Sequence, residues 1–300
     1  MDWITGIQNA IDYIEEHITE ELDYAQIARK SFSSPFHFQR VFSILCGYTL
    51  GEYIRSRRLT LAGLELANTR EKVIDVAYKY GYDSPESFAK AFQKFHGITP
   101  SQARGGGGML KSFSRLSIKV SLEGGSIMNY RIEEKPAMLL TGYKRRFTGS
   151  PNDKREQDHN FACETRLEQA ILEGLCREHE TVYQVLTNFD ADSYDFYFAY
   201  QFPNWALEDL QEMPADILSR FENVSVSAGQ YLVCETERCQ FPTAKVDELR
   251  KQAVSQWLPA SGYELRDAPE IGVIHWFWEE GNEKRNSSRY CELWLPIVRK

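Results

Sequence analysis

One strand-like segment near the end of the chain places a carboxylate between two aromatic rings. Alternate side chains of a strand share a face, so Tyr290, Glu292 and Trp294 lie on one side and their neighbours on the other. A carboxylate in this setting is either exposed at a rim or lies at the base of an aromatic pocket. The second arrangement suits an organic cation, because the carboxylate pairs with the charge and the rings add cation–π contacts.

Aromatic residues are also dense on the other strand-like segments after residue 190. Such side chains more often pack in a core, and this remains the alternative at each position. Besides Tyr290 and Trp294, the candidates for a pocket with Glu292 are Tyr197, Trp276 and Trp278.

Two segments in the first hundred residues have the form helix, short turn, helix. Ser34 before Pro35 and Ser84 before Pro85 begin the second helix of each, because serine is a favoured N-cap and proline fits the first helical turn. Gly81 can supply the positive φ that ends a helix. Arg or Gln on a helix in the major groove can bond base edges. The alternative is a helical bundle with a solvated charged face.

Charge is unevenly distributed along the chain. The net charge of -8 argues against a nucleic-acid partner when it is taken alone. Residues 24–104, however, hold twelve Lys or Arg against six Asp or Glu, and they lie between two acidic parts. A basic segment of this kind is the electrostatic pattern of a nucleic-acid-binding domain.

The spacing of apolar residues changes after four consecutive glycines at residues 105–108. Before them apolar residues recur at helical spacing, and after them they alternate with polar ones, first from Leu116 to Val120. The glycine run itself predicts a flexible linker. The chain is therefore predicted to have three parts: an all-α double helix-turn-helix domain (1–104), a glycine-rich linker with a short strand (105–126) and an α+β domain (127–300).

The α+β domain repeats the order strand, helix, strand, strand. The first copy runs from about residue 138 to 201 and the second from about 230 to 298. Two β-α-β-β units in tandem predict one sheet with pseudo-twofold symmetry and both helices on one face. A ligand groove can then form along the seam between the units.

The helix-turn-helix segments resemble the signature of the AraC/XylS family of transcription regulators. The match covers residues 4–104 and includes the motifs FHFQRVF at residues 36–42, GYDS at 81–84 and FHGITP at 95–100. The resemblance implies two recognition helices in successive major grooves, joined by a rigid linker helix. Matched position by position, the candidate base-reading residues are Phe36, Gln39, Arg40, Glu86, Ser87 and Lys90, and Arg57 and Arg58 of the linker helix are candidate phosphate contacts.

The position of this domain at the start of the chain is unusual for the family and resembles the order in Rob-type regulators. The resemblance implies double-stranded promoter DNA as a partner, and RNA polymerase as a second partner.

Residues 127–300 resemble the GyrI-like effector-binding domain. The segments that carry the resemblance are residues 128–137, 257–264 and 292–297. It implies the duplicated β-α-β-β fold and a groove that accepts lipophilic, often cationic compounds. It also implies a pocket glutamate, which falls on Glu292.

The sequence predicts neither an enzyme nor a cofactor or metal site. The histidines after residue 108 are isolated, no GxSxG motif or phosphate-binding glycine loop is present, and the six cysteines form no CxxC pair. No segment is apolar over the roughly 18–20 residues of a membrane helix, and no signal peptide is apparent. We expect a cytoplasmic transcription regulator that binds DNA and a small lipophilic, cationic effector. The alternative is a GyrI-like hydrolase or a drug-sequestering protein attached to a DNA-binding domain.

Overall fold

The structure is a computed structural model that describes residues 3–118, 128–176, 180–277 and 286–300. Contacts divide the chain into two units, Met1–Gln39 with Thr49–Glu123, and Arg40–Tyr48 with Gly124–Lys300. In the described ranges, no helix is both long and apolar enough to cross a membrane.

The N-terminal part is helical, and the residues at the helix ends explain where the helices begin and end. Thr49 and Glu52 form a capping box, in which each side chain accepts a hydrogen bond from the other residue's backbone N–H. Ser84 caps the helix that begins at Pro85, and Gly97, with a φ of 82°, ends it. The helices are α1 (Trp3–Glu16), α2 (Tyr24–Lys30), α3 (Pro35–Cys46), α4 (Leu50–Asn68), α5 (Val73–Lys79), α6 (Pro85–His96) and α7 (Pro100–Arg104).

Helices α4 to α7 of the first unit enclose one apolar core. The core residues of α4 and α6 recur three or four positions apart, which places them on one face of each helix. The helices from Trp3 to Arg104 confirm the prediction of an all-α N-terminal domain. The buried side chains of the core include Leu59, Ala62, Leu66, Val76, Ala77, Phe88, Phe92 and Ala103.

Residues 109–118 follow the glycine run as an extended segment bound to the helices of the first unit. Residues 116–118 do not form a strand, and the rest of the predicted short strand, which includes Val120, lies outside the described residues. Four backbone N–H groups of the described segment bond side-chain acceptors on the helices and not a second strand. The donors are Lys111, Phe113, Leu116 and Ile118, and the acceptors are His96, Thr60, Tyr53 and Gln8, in that order.

The second unit is built on an antiparallel sheet with the strand order β1-β6-β9-β8-β3-β4-β2-β5, and β7 pairs with β9. The strands are β1 (Tyr130–Lys135), β2 (Met138–Thr148), β3 (Thr181–Thr187), β4 (Ser193–Tyr200), β5 (Glu222–Val226), β6 (Gly229–Glu235), β7 (Tyr263–Leu265), β8 (Glu270–His275) and β9 (Tyr290–Arg299).

The two halves of the sheet are related by a pseudo-twofold axis between β3 and β8. Going outward, β8, β9 and β6 in one half correspond to β3, β4 and β2 in the other. This order confirms the duplicated β-α-β-β prediction. The sequence pattern did not predict the outermost strands. β1 precedes β2 but pairs with β6, and β5 precedes β6 but pairs with β2, so each half contributes an edge strand to the other.

The helices of the two repeats pack on the same face of the sheet, as predicted, and we call it the helix face. Phe161 of α8 stacks on Phe198 of β4 at 5.5 Å, and Arg250 of α12 donates to Glu270 of β8 at 2.8 Å. The opposite face carries Glu292 and is called the Glu292 face. The helices are α8 (Arg155–Glu164), α9 (Arg166–Cys176), α10 (Asn204–Gln211), α11 (Ala215–Leu218), α12 (Val246–Gln252) and α13 (Leu258–Ser261), with 3-10 turns at Pro151–Asp153 and Pro242–Lys245 and a π-helical turn at Ala253–Trp257.

Candidate functional site

The second helix-turn-helix unit consists of α5, a turn at residues 80–83 and α6. Phe88 and Phe92 are fully buried, whereas Glu86, Ser87 and Lys90 are exposed on the outer side of α6. The three residues predicted to read bases from this helix therefore project into solvent together, which is what a helix in a major groove requires.

The turn of this unit depends on Gly81, which has a φ of 77°. A Cβ at this position would lie 2.6 Å from Nη1 of Arg58. Arg58 is held in place because its Nε–H and Nη2–H donate to the carbonyl oxygens of Ile18 and Glu20, at 2.8 and 2.6 Å. The Nε–H and Nη2–H donors of Arg58 therefore bind the chain itself, and its contact with phosphate stays a prediction.

Arg57 is also used inside the first unit. Its Nε–H and Nη2–H donate to the two carboxylate oxygens of Glu15, each at 2.8 Å, and its Nη1–H donates to the Phe113 carbonyl oxygen at 2.6 Å. Its side chain is 11% exposed. This guanidinium joins α1 and residue 113 to α4, so a phosphate contact of Arg57, which stays a prediction, would have to replace these bonds.

The three residues predicted to read bases from α3 differ in exposure. Phe36 and Gln39 are half-buried, whereas Arg40 is 5% exposed. Arg40 belongs to the second unit, where its Nη2–H donates to Glu270 at 2.5 Å and its guanidinium lies 3.9 Å from the centroid of the Phe189 ring. This guanidinium is bound inside the second unit, so the base contact of Arg40, which stays a prediction, would require these contacts to open.

On the Glu292 face, a carboxylate, an indole and two cationic side chains meet. Glu292 is 8% exposed; its Oε2 accepts from the Trp294 Nε1–H at 2.6 Å, and its Oε1 accepts from the Arg131 Nη2–H at 2.8 Å. The Lys135 Nζ lies 4.0 Å from the centroid of the Trp294 ring. The structure thus brings Glu292 and Trp294 together, and cations of the chain contact both.

Arg131 bonds three carboxylates. Besides Glu292, it contacts Glu133 and Glu235. Burial acts to lower the pKa of Arg131, but the hydrogen bonds and charges of these carboxylates outweigh it and raise the pKa above its ordinary value. Glu235 lies directly opposite Glu292 in the pairing of β6 with β9, so Arg131 bridges two like charges on neighbouring strands.

Tyr290 and Tyr197 share the Glu292 face but lie at different places on it. Tyr290 stacks on His275 with ring centroids 4.3 Å apart; burial lowers the pKa of His275, and its Nε2 has no hydrogen-bond partner among the described residues. Tyr197 is three strands away from β9, or roughly 14 Å at the usual strand spacing. Trp294 instead contacts Tyr183, edge-on at 6.4 Å, which the sequence pattern did not single out.

Trp276 lies on the other side of the sheet from Glu292. It lines a cavity of about 750 Å³ on the helix face, together with Tyr143, Phe198 and Tyr200. The prediction of a shared pocket with Glu292 is therefore wrong for Trp276. Trp278 lies outside the described residues. In the part of the chain that the structure describes, no group of three or more His, Cys, Asp or Glu side chains could hold a metal ion.

Arg131 and Lys135 are the site residues that the sequence pattern missed. The alternation in Tyr130–Lys135 was a usable signal, because it places Arg131, Glu133 and Lys135 on one face of a strand. It could not show that this strand pairs with β6, about a hundred residues later.

Two family profiles match the chain. A helix-turn-helix domain family, HTH_18, matches residues 27–106, and the GyrI-like small molecule binding domain matches residues 128–298, more than half of the chain.

Curated relatives match the helix-turn-helix part. The HTH-type transcriptional activator AarP of Providencia stuartii is 45% identical over 98 residues, which are 33% of this chain and 73% of AarP. The regulatory protein SoxS of Salmonella typhimurium is 42% identical over 98 residues, 33% of this chain and 92% of SoxS.

Among solved structures, an integron cassette protein from Vibrio cholerae is similar over 56% of this chain and 95% of its own. Its sequence is 15% identical and the TM-score is 0.39, which is too low to transfer any property of that protein.

Proposed function

We propose that this chain, which belongs to the AraC-type transcription regulators and to the GyrI-like small-molecule-binding family, responds to a lipophilic aromatic cation that binds at Glu292 and Trp294. The chain is a DNA-binding regulator with an N-terminal helix-turn-helix region and a C-terminal effector-binding domain. The chemical class of the effector and the DNA contacts are the proposed parts.

The contacts of Glu292 and Trp294 support a cationic effector most directly. A carboxylate that is 8% exposed requires a cation, because an unpaired buried charge is costly. The Trp294 ring already holds an ammonium group 4.0 Å from its centroid, which is cation–π geometry. A ligand with a positive charge and an aromatic body would satisfy both groups at once.

A pair of ligands with the same shape tests this proposal. 4-(Trimethylammonio)biphenyl and 4-tert-butylbiphenyl differ mainly in charge, and both can be titrated while tryptophan fluorescence is recorded. Glu292→Gln should weaken binding of the cation by about 1–3 kcal/mol, the range for loss of a charged partner, and should leave the neutral ligand nearly unaffected.

Glu134→Gln is the matched control. Glu134 is an exposed carboxylate on β1 whose side chain points to the opposite side of the strand, so its loss changes the net charge equally without touching the site. The proposal fails if Glu292→Gln weakens both ligands equally, or if the wild-type protein binds the cation no better than the neutral ligand.

For DNA, we propose that Glu86, Ser87 and Lys90 of α6 contact bases. Their joint exposure on one side of the helix supports this role. Lys90→Ala should weaken binding to a specific promoter site by about 1–3 kcal/mol and change binding to random DNA less, as expected for a base contact.

Lys111→Ala, an exposed lysine outside both helix-turn-helix units, is the control in the same DNA titrations. It should affect specific and random DNA equally and weakly. Equal losses on both DNAs with Lys90→Ala would instead assign Lys90 to phosphate.

We further propose that the bound effector changes either the occupancy of the promoter by this protein or the contact of this protein with RNA polymerase. This regulation is proposed to take place in the cytoplasm. Transcription from a bound promoter should respond to 4-(trimethylammonio)biphenyl with the wild-type protein. With Glu292→Gln the response should disappear while DNA affinity without ligand is kept. A response that persists in this variant would contradict the proposal.

A further inference from the structure

We propose that Arg131 and Lys135 are built-in competitors of the effector: their cationic groups occupy the positions that a ligand's charge must take, and they set the threshold for binding. This inference rests on the proposed function of the Glu292 site and concerns its regulation.

The position of β1 gives both side chains access to the site. β1 is an edge strand paired with β6, and β6 is paired with β9. In this register Arg131 lies opposite Val233, which lies opposite Trp294. The side chains of Arg131 and Lys135 therefore extend across β6 on the Glu292 face and reach β9.

The arrangement of carboxylates requires a cation at this place. Glu235 and Glu292 face each other on adjacent strands, and like charges in that position are destabilising. Arg131 removes the repulsion by bonding both, and Glu133 is its third carboxylate partner. The positive charge of a ligand in the same place would also reduce the repulsion between the two strands, so Arg131 can be exchanged for a cationic ligand.

The exposures indicate which partner leaves. The side chain of Arg131 is 39% exposed, whereas those of Glu292 and Lys135 are 11% and 16% exposed. The Arg131 guanidinium can turn into water and be hydrated there without any change in the backbone of β1. Glu292 and Trp294 cannot follow it, because they lie in the part of β9 that is buried on both faces.

This competition selects for a particular ligand chemistry. A small hydrated cation gains only the charge contacts that Arg131 already makes, so it cannot displace the side chain. A ligand with an aromatic body also gains burial against the Trp294 ring and can pay the cost of displacement. The apparent affinity of the wild-type protein is then the affinity of the open site multiplied by the fraction of molecules in which the site is open.

Arg131→Gln tests the inference by removing the competitor. We expect 4-(trimethylammonio)biphenyl to bind this variant about tenfold more tightly than the wild-type protein, with a change below about twofold for 4-tert-butylbiphenyl. Arg145→Gln is the matched control, because Arg145 forms an ion pair with Glu164 on the helix face; it should change neither affinity.

A second measurement separates competition from a purely structural role of Arg131. Millimolar methylguanidinium should refill the vacated place and weaken binding of the cation to Arg131→Gln severalfold, while the wild-type affinity stays the same. Lys135→Met removes the other competitor and should also tighten binding of the cation, so the test does not depend on one variant folding.

The outcomes distinguish the two proposals. If the wild-type protein binds the cation through Glu292 but Arg131→Gln and Lys135→Met bind it no more tightly, the competition is refuted and the effector site stands. If neither the wild type nor these variants bind the cation, the effector site itself is refuted.

Discussion

Glu270 and Glu292 lie on the neighbouring strands β8 and β9, and each is a buried glutamate bonded to arginine, yet their partners differ in exposure. The side chain of Glu270 is 2% exposed, and those of its partners Arg40 and Arg250 are 6% and 2% exposed. The side chain of Glu292 is 11% exposed, but that of Arg131 is 39% exposed.

This difference separates a structural ion pair from an exchangeable one. Breaking the ion pairs of Glu270 with Arg40 and Arg250 would leave buried charges without a partner and without water, which costs several kcal/mol. Arg131 can instead leave Glu292 and be hydrated at once, so the carboxylate is available to another cation. The exposure of the partner, and not that of the carboxylate, therefore decides which glutamate can serve a ligand.

The largest effect expected from this comparison is on stability. Glu270→Gln should lower the free energy of unfolding by about 3–5 kcal/mol, because Arg40 and Arg250 would remain buried without this carboxylate. Urea unfolding of the full chain, followed by tryptophan fluorescence, measures it. A loss below about 1 kcal/mol would remove the contrast between the two glutamates.

A smaller effect should appear in acid. Burial acts to raise the pKa of Glu270, but the charges of Arg250 and Arg40 outweigh it and hold the pKa below its ordinary value of 4.5. A carboxylate with a lowered pKa stabilises the fold fully above its unfolded value, and this stabilisation is lost as the pH falls through the folded value.

The stability difference between the wild type and Glu270→Gln should therefore be constant above about pH 5 and shrink below pH 4.5, by up to about 1.4 kcal/mol per pH unit. Unfolding curves at several pH values for both proteins provide the test. A difference that stays the same down to pH 3 would show that Glu270 does not titrate with a lowered pKa.

The smallest effect is expected for Glu292→Gln without ligand. Arg131 keeps Glu133 and Glu235 and is reached by water, so the free energy of unfolding should fall by less than about 1 kcal/mol. Urea unfolding of the full chain, followed by tryptophan fluorescence, measures this loss as well. A loss as large as that of Glu270→Gln would make Glu292 a structural residue and would argue against exchange of its partner.

Local patterns in the sequence predicted the helix-turn-helix units and the central strands. Ser84 and Pro85 mark a helix start by chemistry that acts within one turn, and the alternation of aromatic residues at 194–200 marks a strand. These signals are complete within a few residues, so no tertiary information is needed to interpret them.

The roles of the arginines could not be predicted in the same way. Arg40, Arg57 and Arg131 bond carboxylates at positions 270, 15 and 292, which are distant in sequence. An arginine on a polar helix face or an edge strand is compatible with binding DNA, phosphate or another part of the chain. Only the fold decides which carboxylate comes within reach, and it determines that Arg131 contacts the predicted glutamate.

The most direct test of the account is a crystal structure of the full chain with the 4′-bromo derivative of 4-(trimethylammonio)biphenyl, whose anomalous signal locates the ligand. We expect the quaternary nitrogen within about 6 Å of the Trp294 ring and beside the Glu292 carboxylate, with the Arg131 guanidinium turned away into solvent. A ligand bound instead in the cavity beside Trp276 on the helix face, with the bond between Arg131 and Glu292 intact, would contradict the account.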